Sequence, residues 1–369
     1  MTTTRLLYLV SHPIQYQAPL LRLIAAEPGI QLRVLFERDT EAGYYDPGFQ
    51  CDVRWDVPLR QGYDSALAAH TDLAAEIAAA QVVWLHGWQG GRMRRALVLA
   101  RALGKPVLMR GENNDCSMPD GGGLKGWLKR RWLAWIFARV DGFLAIGSAN
   151  ADYYRARGVA ADRIHPMPYA VDNAAFAAAA KDCDRAALRA RLGLEPGRRV
   201  VLYAGKLMGR KHPDVLLQAW TQAAWPGQPP HLLYVGDGEM RARLQALAGA
   251  GVVFAGFRNQ SELPGLYALA DVFVLASERE PWGLAVNEAM ACGTAIVVSD
   301  QVGCAVDLVD ETCGAVVPAG DAAALAAALV HVVGRAESAG DAAARKVADW
   351  DYAADLAGLK QALATVRVP

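Results

Sequence analysis

Asp271-Val-Phe-Val-Leu-Ala-Ser-Glu-Arg-Glu-Pro-Trp-Gly-Leu-Ala-Val-Asn-Glu-Ala-Met-Ala-Cys-Gly293 reads as an apolar strand, a polar loop and a helix. The run Val272–Ala276 is short, continuous and mostly β-branched or aromatic, which suits a strand buried on both faces. Proline fits a first helical position, where its missing N–H would have had no partner, so the helix is expected to begin near Pro281–Gly283. The same alternation extends outward in both directions. Strands are expected at Leu6–Val10, Leu32–Phe36, Val82–Leu85, Val107–Met109 and Gly142–Ile146, then at Val200–Ala204, Leu232–Val235, Val252–Ala255 and Ala295–Val298. Helical patterns such as Pro19–Ala26, Asp214–Gln222 and Met240–Ala248 lie between them. Strand and helix in turn predict parallel sheets covered on both faces, and this many strands divide naturally into two sheets.

The least strand-like stretch, Asp172–Arg199, contains Ala174–Ala180 and Glu195-Pro-Gly-Arg and is read as a linker and a new domain start. The expected organisation is therefore an α/β chain of two Rossmann-like, doubly wound domains, 1–178 and 179–348, facing each other across a cleft. A final helix in 349–369, with Tyr352, Leu356, Leu359 and Leu363 at helical spacing, is expected to pack back on the first domain. No repeat with a fixed period of 20–50 residues is seen.

With 369 residues, 38 Lys+Arg against 38 Asp+Glu, 53% hydrophobic and 21% charged residues, the composition excludes a disordered chain and a globally basic nucleic-acid binder. No apolar run is long enough to span a bilayer, and the N-terminus, one Arg and a short apolar run without a small-residue cleavage site, reads as a first strand. Six cysteines stand far apart without a Cys-x-x-Cys pair, which argues against zinc or a disulfide framework and makes the cytoplasm the expected compartment. The neutral sum is uneven along the chain. Residues 1–91 hold six Arg against ten acids, and residues 92–139 hold eleven Lys+Arg against three acids.

In doubly wound sheets ligands bind at the carboxyl ends of the strands, so the loops there carry the candidates. Glu280 and Glu288, separated by seven residues, flank the start of the quoted helix. Carboxylates accept hydrogen bonds from hydroxyls and first-turn N–H groups attract anions, a layout suited to a sugar. An isolated pair of this spacing is also compatible with a solvated helix face. Gly205-Lys-Leu-Met-Gly-Arg-Lys211 follows another strand, and Lys206 and Lys211 carry two ammonium groups able to neutralise a diphosphate. Gly236-Asp-Gly and Gly256-Phe257-Arg end two further strands and leave room for a base and ribose.

Together, Gly205-Lys-Leu…Lys211, Val235-Gly-Asp-Gly238, Phe254-Ala-Gly-Phe257, Glu280-Pro-Trp-Gly-Leu-Ala-Val-Asn-Glu-Ala-Met-Ala-Cys-Gly-Thr294 and Val302-Gly303 resemble the retaining GT-B glycosyltransferases of family four. The resemblance is strong over residues 198–320. It implies that Glu288 holds ribose hydroxyls, that Glu280 contacts the donor sugar, and that Lys206 and Lys211 bind the diphosphate, with Pro281, Trp282, Gly283 and Leu284 part of the same loop. Lys206 stands where the family usually has Arg, so the charge is kept and the bidentate geometry lost.

Ser11-His-Pro-Ile-Gln-Tyr-Gln-Ala-Pro19 follows the first strand without the glycine-rich loop a dinucleotide fold needs. It is similar to the His-Pro-Ile-Gln-Tyr branch of bacterial enzymes of surface-polysaccharide synthesis. His12, Gln15 and Tyr16 are candidates for the acceptor or cleft side, or alternatively a Pro-led turn that caps and packs. Many relatives carry a histidine near the end of the Val107–Met109 strand; here Arg110 and Glu112 stand there, so His86 or His12 is read as a substitute, with a buried, hydrogen-bonded His86 of structural role as the alternative, and Glu112 as a site residue.

Leu124–Arg139 joins five cations, three Trp and one Phe with no acid. It fits a helix lying on an anionic leaflet, or an ordinary helix whose Trp132, Trp135 and Phe137 are core. The resemblance implies transfer of a sugar, with retention, from a UDP- or GDP-linked donor to a glycan or polyprenyl-linked glycan. Neither metal nor cofactor is expected, since Asp182-Cys-Asp184 and Asp349-Trp-Asp351 lie away from strand ends. A sugar-nucleotide epimerase of the same fold and a non-catalytic nucleotide-sugar-binding subunit remain the rival readings.

Overall fold

The computed structural model describes residues 3–366; residues 1–2 and 367–369, at the outer ends of the expected first strand and last helix, lie outside them. The first half supplies strands β1 (Thr4–Val10), β2 (Ile30–Phe36), β3 (Tyr44–Asp46), β4 (Cys51–Val53), β5 (Asp64–Leu67), β6 (Val82–His86), β7 (Val107–Arg110), β8 (Gly142–Ala145) and β9 (Ile164–Pro166). The second half supplies β10 (Val200–Ala204), β11 (His231–Val235), β12 (Val252–Gly256), β13 (Val272–Leu275), β14 (Ala295–Ser299) and β15 (Gly314–Val317).

Two parallel sheets result, ordered β5-β2-β1-β6-β7-β8-β9 and β12-β11-β10-β13-β14-β15. The chain has the α/β architecture of two Rossmann-like parallel-sheet units. Central strands such as β10 and β14 are buried along their whole length, which is why they read as unbroken apolar runs. Each fully buried aliphatic side chain contributes about 1.5–3 kcal/mol, and the first sheet is covered on its two faces by two separate apolar clusters.

Five strands escaped the sequence reading: β3, β4, β5, β9 and β15 have three or four residues each and carry polar or small side chains at sheet edges or in the hairpin. The expected linker is instead two helices, Asn173–Asp182 and Arg185–Leu192, each capped by an aspartate: Asp172 accepts from the Ala175 N–H and Asp184 from the Ala187 N–H. The described residues group into one unit holding the chain to Gly43, Val57–Tyr169 and the segment from Tyr352, and a second holding Tyr44–Asp56 and Ala170–Asp351. These breaks differ from 178/179 and 348/349. Helix Asn173–Asp182 packs on the helices Leu263–Leu269 and Leu284–Ala291, and the Asn173 amide donates to the Val347 and Trp350 carbonyls. Among the described residues no single helix is long and apolar enough to cross a membrane.

The last helix, Tyr352–Thr365, packs in the first unit through Leu356, Leu359 and Ala362 against Leu20, Ile24 and Met167. Its anchor is ionic. Arg110, 1% exposed, points its Nη2 at Asp355 Oδ2 3.1 Å away and at the Met167 carbonyl at 2.9 Å, with the guanidinium over the Tyr169 ring. This corrects the reading of Arg110 as an acceptor or cleft residue: the fully buried charge is consumed in holding the last helix. Removing one partner leaves an uncompensated buried charge, so Asp355→Ala is expected to destabilise the first unit by about 3–5 kcal/mol. Denaturant unfolding followed by tryptophan fluorescence measures this; a loss below about 1 kcal/mol would contradict the assignment.

Candidate active site

Both sheets have a switch point where successive connections leave in opposite directions, β1/β6 in the first and β10/β13 in the second. A doubly wound sheet opens for ligands at the carboxyl side of that point. In the second unit the loops after β10 and β13 carry Lys211 and Glu280, and the two side chains meet as an ion pair. The loops are tied by backbone bonds: the Glu278 N–H donates to the Arg210 carbonyl, and the Arg210 guanidinium donates to the Arg279 carbonyl. Glu280 is held from its other side too, by a bridge to Val302 and a bond from the Gly303 N–H to its carbonyl. Burial, together with the charges of Arg210 and Lys206, pushes the Lys211 ammonium down to about 7, while the carboxylate it touches favours the charged form.

The helix after this loop begins at Leu284, with Gly283 as its N-cap. Pro281 thus precedes the helix and does not open it. Gly283 has φ +100, and a Cβ there would lie 2.9 Å from Leu275 Cδ2, so the turn admits only glycine. Trp282 is buried, donates to Asn287 Oδ1 at 2.9 Å and stacks on Trp350, which makes it a wall of the loop. Glu288, one turn into the helix and 8% exposed, accepts from the Tyr267 hydroxyl at 2.8 Å and from the Gln260 amide at 3.2 Å. Burial raises its carboxyl to about 7 against those two hydrogen bonds.

The expected glycines stand in a row along the strand ends. The Gly205 N–H donates to the Val235 carbonyl and the Gly236 N–H to the Gly256 carbonyl. Lys206, in the same row, is paired with Asp46 at 2.9 Å, and Phe257 packs against Phe49.

The first unit gathers its own candidates at β1, β6 and β7. The Tyr8 hydroxyl lies 2.8 Å from His86 Nδ1 and donates to Gln17 Oε1 at 3.0 Å. His86 Nε2 is 4.0 Å from Glu112 Oε1. That oxygen accepts from the Tyr16 hydroxyl at 3.0 Å and from the Tyr169 hydroxyl. Burial drives the His86 ring down to about 4, with Glu112 opposing and Arg110 reinforcing the shift, so it is a neutral imidazole at pH 7. His12 is bonded to the Ser11 hydroxyl at 2.8 Å; burial and the Arg38 charge lower it, with Glu112 opposing. Gln15 is half-buried in the following turn. The sequence reading missed Tyr8, Tyr169, Asp46, Gln260 and Tyr267: Tyr8 lies inside an expected strand, and Tyr169 follows β9, a strand too short to be announced. Among the described residues no three His, Cys, Asp or Glu side chains cluster as a metal set.

Two family models match this chain, one described as glycosyl transferases group 1 over residues 198–335 and one as a glycosyl transferase 4-like domain over residues 15–170. The chain belongs to the family-four GT-B glycosyltransferases. A D-inositol 3-phosphate glycosyltransferase of Xylanimonas cellulosilytica is 33% identical over 240 residues, 59% of this chain and 56% of that relative. A GDP-mannose-dependent alpha-mannosyltransferase of Mycobacterium tuberculosis is 32% identical over 207 residues, 55% of this chain and 51% of the relative. The chain spans about half the length of these curated relatives. Among solved structures, Anabaena HepE in complex with UDP and glucose superposes with a TM-score of 0.72 at 16% identity, covering 98% of this chain and 100% of its own. That likeness is one of fold.

Proposed function

We propose that this glycosyltransferase moves a sugar from a nucleoside diphosphate sugar to an acceptor hydroxyl with retention at the anomeric carbon. The observation that carries the reading is the meeting of Lys211 and Glu280 at the switch point of the second sheet, beside the N-terminus of the Leu284–Ala291 helix. Departure of the nucleoside diphosphate breaks the anomeric C–O bond and leaves charge on the phosphate. Lys206, Lys211 and the first-turn N–H groups after Gly283 stabilise that charge, and one such donor is worth about 2.7–4 kcal/mol. Side chains and backbone do this work with no metal. Glu280 accepts from donor-sugar hydroxyls and Glu288 from ribose hydroxyls. In a front-face displacement the acceptor oxygen bonds the anomeric carbon while its proton passes to the departing phosphate oxygen, so no protein nucleophile is needed. The neutral His86 and the Glu112 carboxylate serve the acceptor hydroxyl.

UDP and GDP are the nucleotides to consider: the mycobacterial relative is GDP-mannose-dependent and HepE is in complex with UDP. A glycan or polyprenyl-linked glycan of bacterial surface polysaccharide is the acceptor class, acted on at the cytoplasmic membrane face. Helix Gly123–Phe137 supports membrane contact. It buries Leu133, Ile136 and Phe137 but leaves Trp127 49%, Trp132 38% and Trp135 42% exposed, with Leu124 and Leu128. Lys125, Arg130 and Arg131 surround this face, whereas Lys129 is tied to the Pro119 carbonyl. Aromatics at headgroup depth ringed by cations suit an anionic leaflet.

Lys211→Ala and Glu280→Ala are each expected to lower transfer from the accepted donor at least about tenfold, with the fold intact by circular dichroism; near wild-type transfer by either would overturn the site assignment. Replacing Lys125, Arg130 and Arg131 by Ser is expected to weaken co-sedimentation with phosphatidylglycerol vesicles, each cation near the surface being worth about 1 kcal/mol, and unchanged sedimentation would reject membrane contact.

A further inference from the structure

The β3–β4 hairpin is supplied by the first half of the chain, yet residues 44–56 belong to the second unit. It lies against the loops that end β10, β11 and β12, the carboxyl edge where a ligand is read. Asp46 Oδ2 is 2.9 Å from Lys206 Nζ, and that ammonium lies 5.1 Å from the centre of the Phe49 ring. The other Asp46 oxygen accepts from the Gly48 N–H at 2.8 Å and the Phe49 N–H at 3.2 Å. A Cβ on Gly48 would come within 2.6 Å of Lys206 Cδ, so the lysine stem crosses the hairpin where a side chain would otherwise be. Phe257 packs edge-on to Phe49 at 5.1 Å and lies 6.2 Å from Trp55. Asn259 donates to the Arg54 carbonyl at 2.7 Å, and Asp56 accepts from the Ser261 hydroxyl. Burial pushes the Asp46 carboxyl up, but the bonds from Lys206 and Gly48 outweigh it and hold the group below the usual carboxylate range.

We propose that Asp46 is a positioning residue that acts as an internal counter-ion for Lys206, and that a bound diphosphate competes with it for this lysine and thereby loosens the hairpin. The inference rests on reading Lys206 as a diphosphate ligand. A lysine has three donors on one compact charge, and here a carboxylate takes part of both. A diphosphate brings the same chemistry with more charge, so its binding draws Lys206 from Asp46. Trp55 beside Phe257, with Asn259 on the Arg54 carbonyl and Ser261 on Asp56, keeps the hairpin attached at its far end while the Asp46 end yields.

Calorimetric titration of the full chain with UDP, GDP and inorganic pyrophosphate tests the competition, and hydrogen exchange across 44–56 tests the anchor. Asp46→Asn is expected to bind the accepted nucleoside diphosphate at least about fivefold tighter, a gain that disappears when Lys206 is also Ala. Unchanged or weaker binding by Asp46→Asn overturns the proposal. Exchange across 44–56 is expected to quicken in Lys206→Ala without ligand and in the wild type on adding nucleoside diphosphate or pyrophosphate; a hairpin unmoved in both overturns it as well. Failure of the wild type to bind either nucleotide refutes the transferase reading instead, and the Asp46–Lys206 pair is then judged by its response to pyrophosphate and by the Lys206→Ala exchange.

Discussion

A parallel sheet buried on both faces has only its strand ends left to meet a ligand, and a ligand needs a gap between loops that leave in opposite directions. That constraint organises both units of this chain. Between β10 and β13 it brings together Lys211 and Glu280, which are far apart in sequence, and between β1 and β6 it brings Tyr8 to His86. The charges there are confined by packing. Glu280 is bridged to Val302, Glu288 is held by Tyr267 and Gln260, and Glu112 by two tyrosine hydroxyls. Preorganised groups of this kind lose little on meeting a developing charge.

Two elements reach their places only through long-range contacts. The last helix is held in the first unit by the buried Arg110–Asp355 pair and by the apolar face of Leu356, Leu359 and Ala362. The β3–β4 hairpin is held in the second unit by Asp46, Phe49 and Asp56. Each shows a charge in or near the site being met by the protein itself. Every cation assigned to the donor diphosphate already has an acidic partner, Asp46 for Lys206 and Glu280 for Lys211.

Much of this was legible in the residues. Unbroken apolar runs such as Val200–Ala204 and Ala295–Val298 announce strands with both faces buried, and the Glu280…Glu288 spacing with Gly205…Lys211 carries the family resemblance. Short strands were not legible, because β5 and β9 hold too few apolar residues for a period to register. The Ala-rich stretch after Asp172 looked like a linker, although Asp172 and Asp184 are N-cap signals that side-chain bonds make good. Arg110 was misread because its partner lies on the last helix, and no local pattern encodes that pairing. In Leu124–Arg139 the cations interrupt the apolar spacing on every side, so periodicity left open which tryptophans face solvent; the structure buries Phe137 and exposes Trp132 and Trp135.

The central claim is that the carboxyl edge of the second sheet receives a nucleoside diphosphate. Thermal unfolding of the wild-type chain with UDP, GDP and their sugar conjugates, against the matching nucleosides, tests it most directly. The account predicts that one diphosphate series raises Tm with concentration while its nucleoside does not, a ligand at a hundred times its Kd stabilising by about 2.7 kcal/mol. An unchanged Tm across the whole panel at millimolar ligand would contradict it.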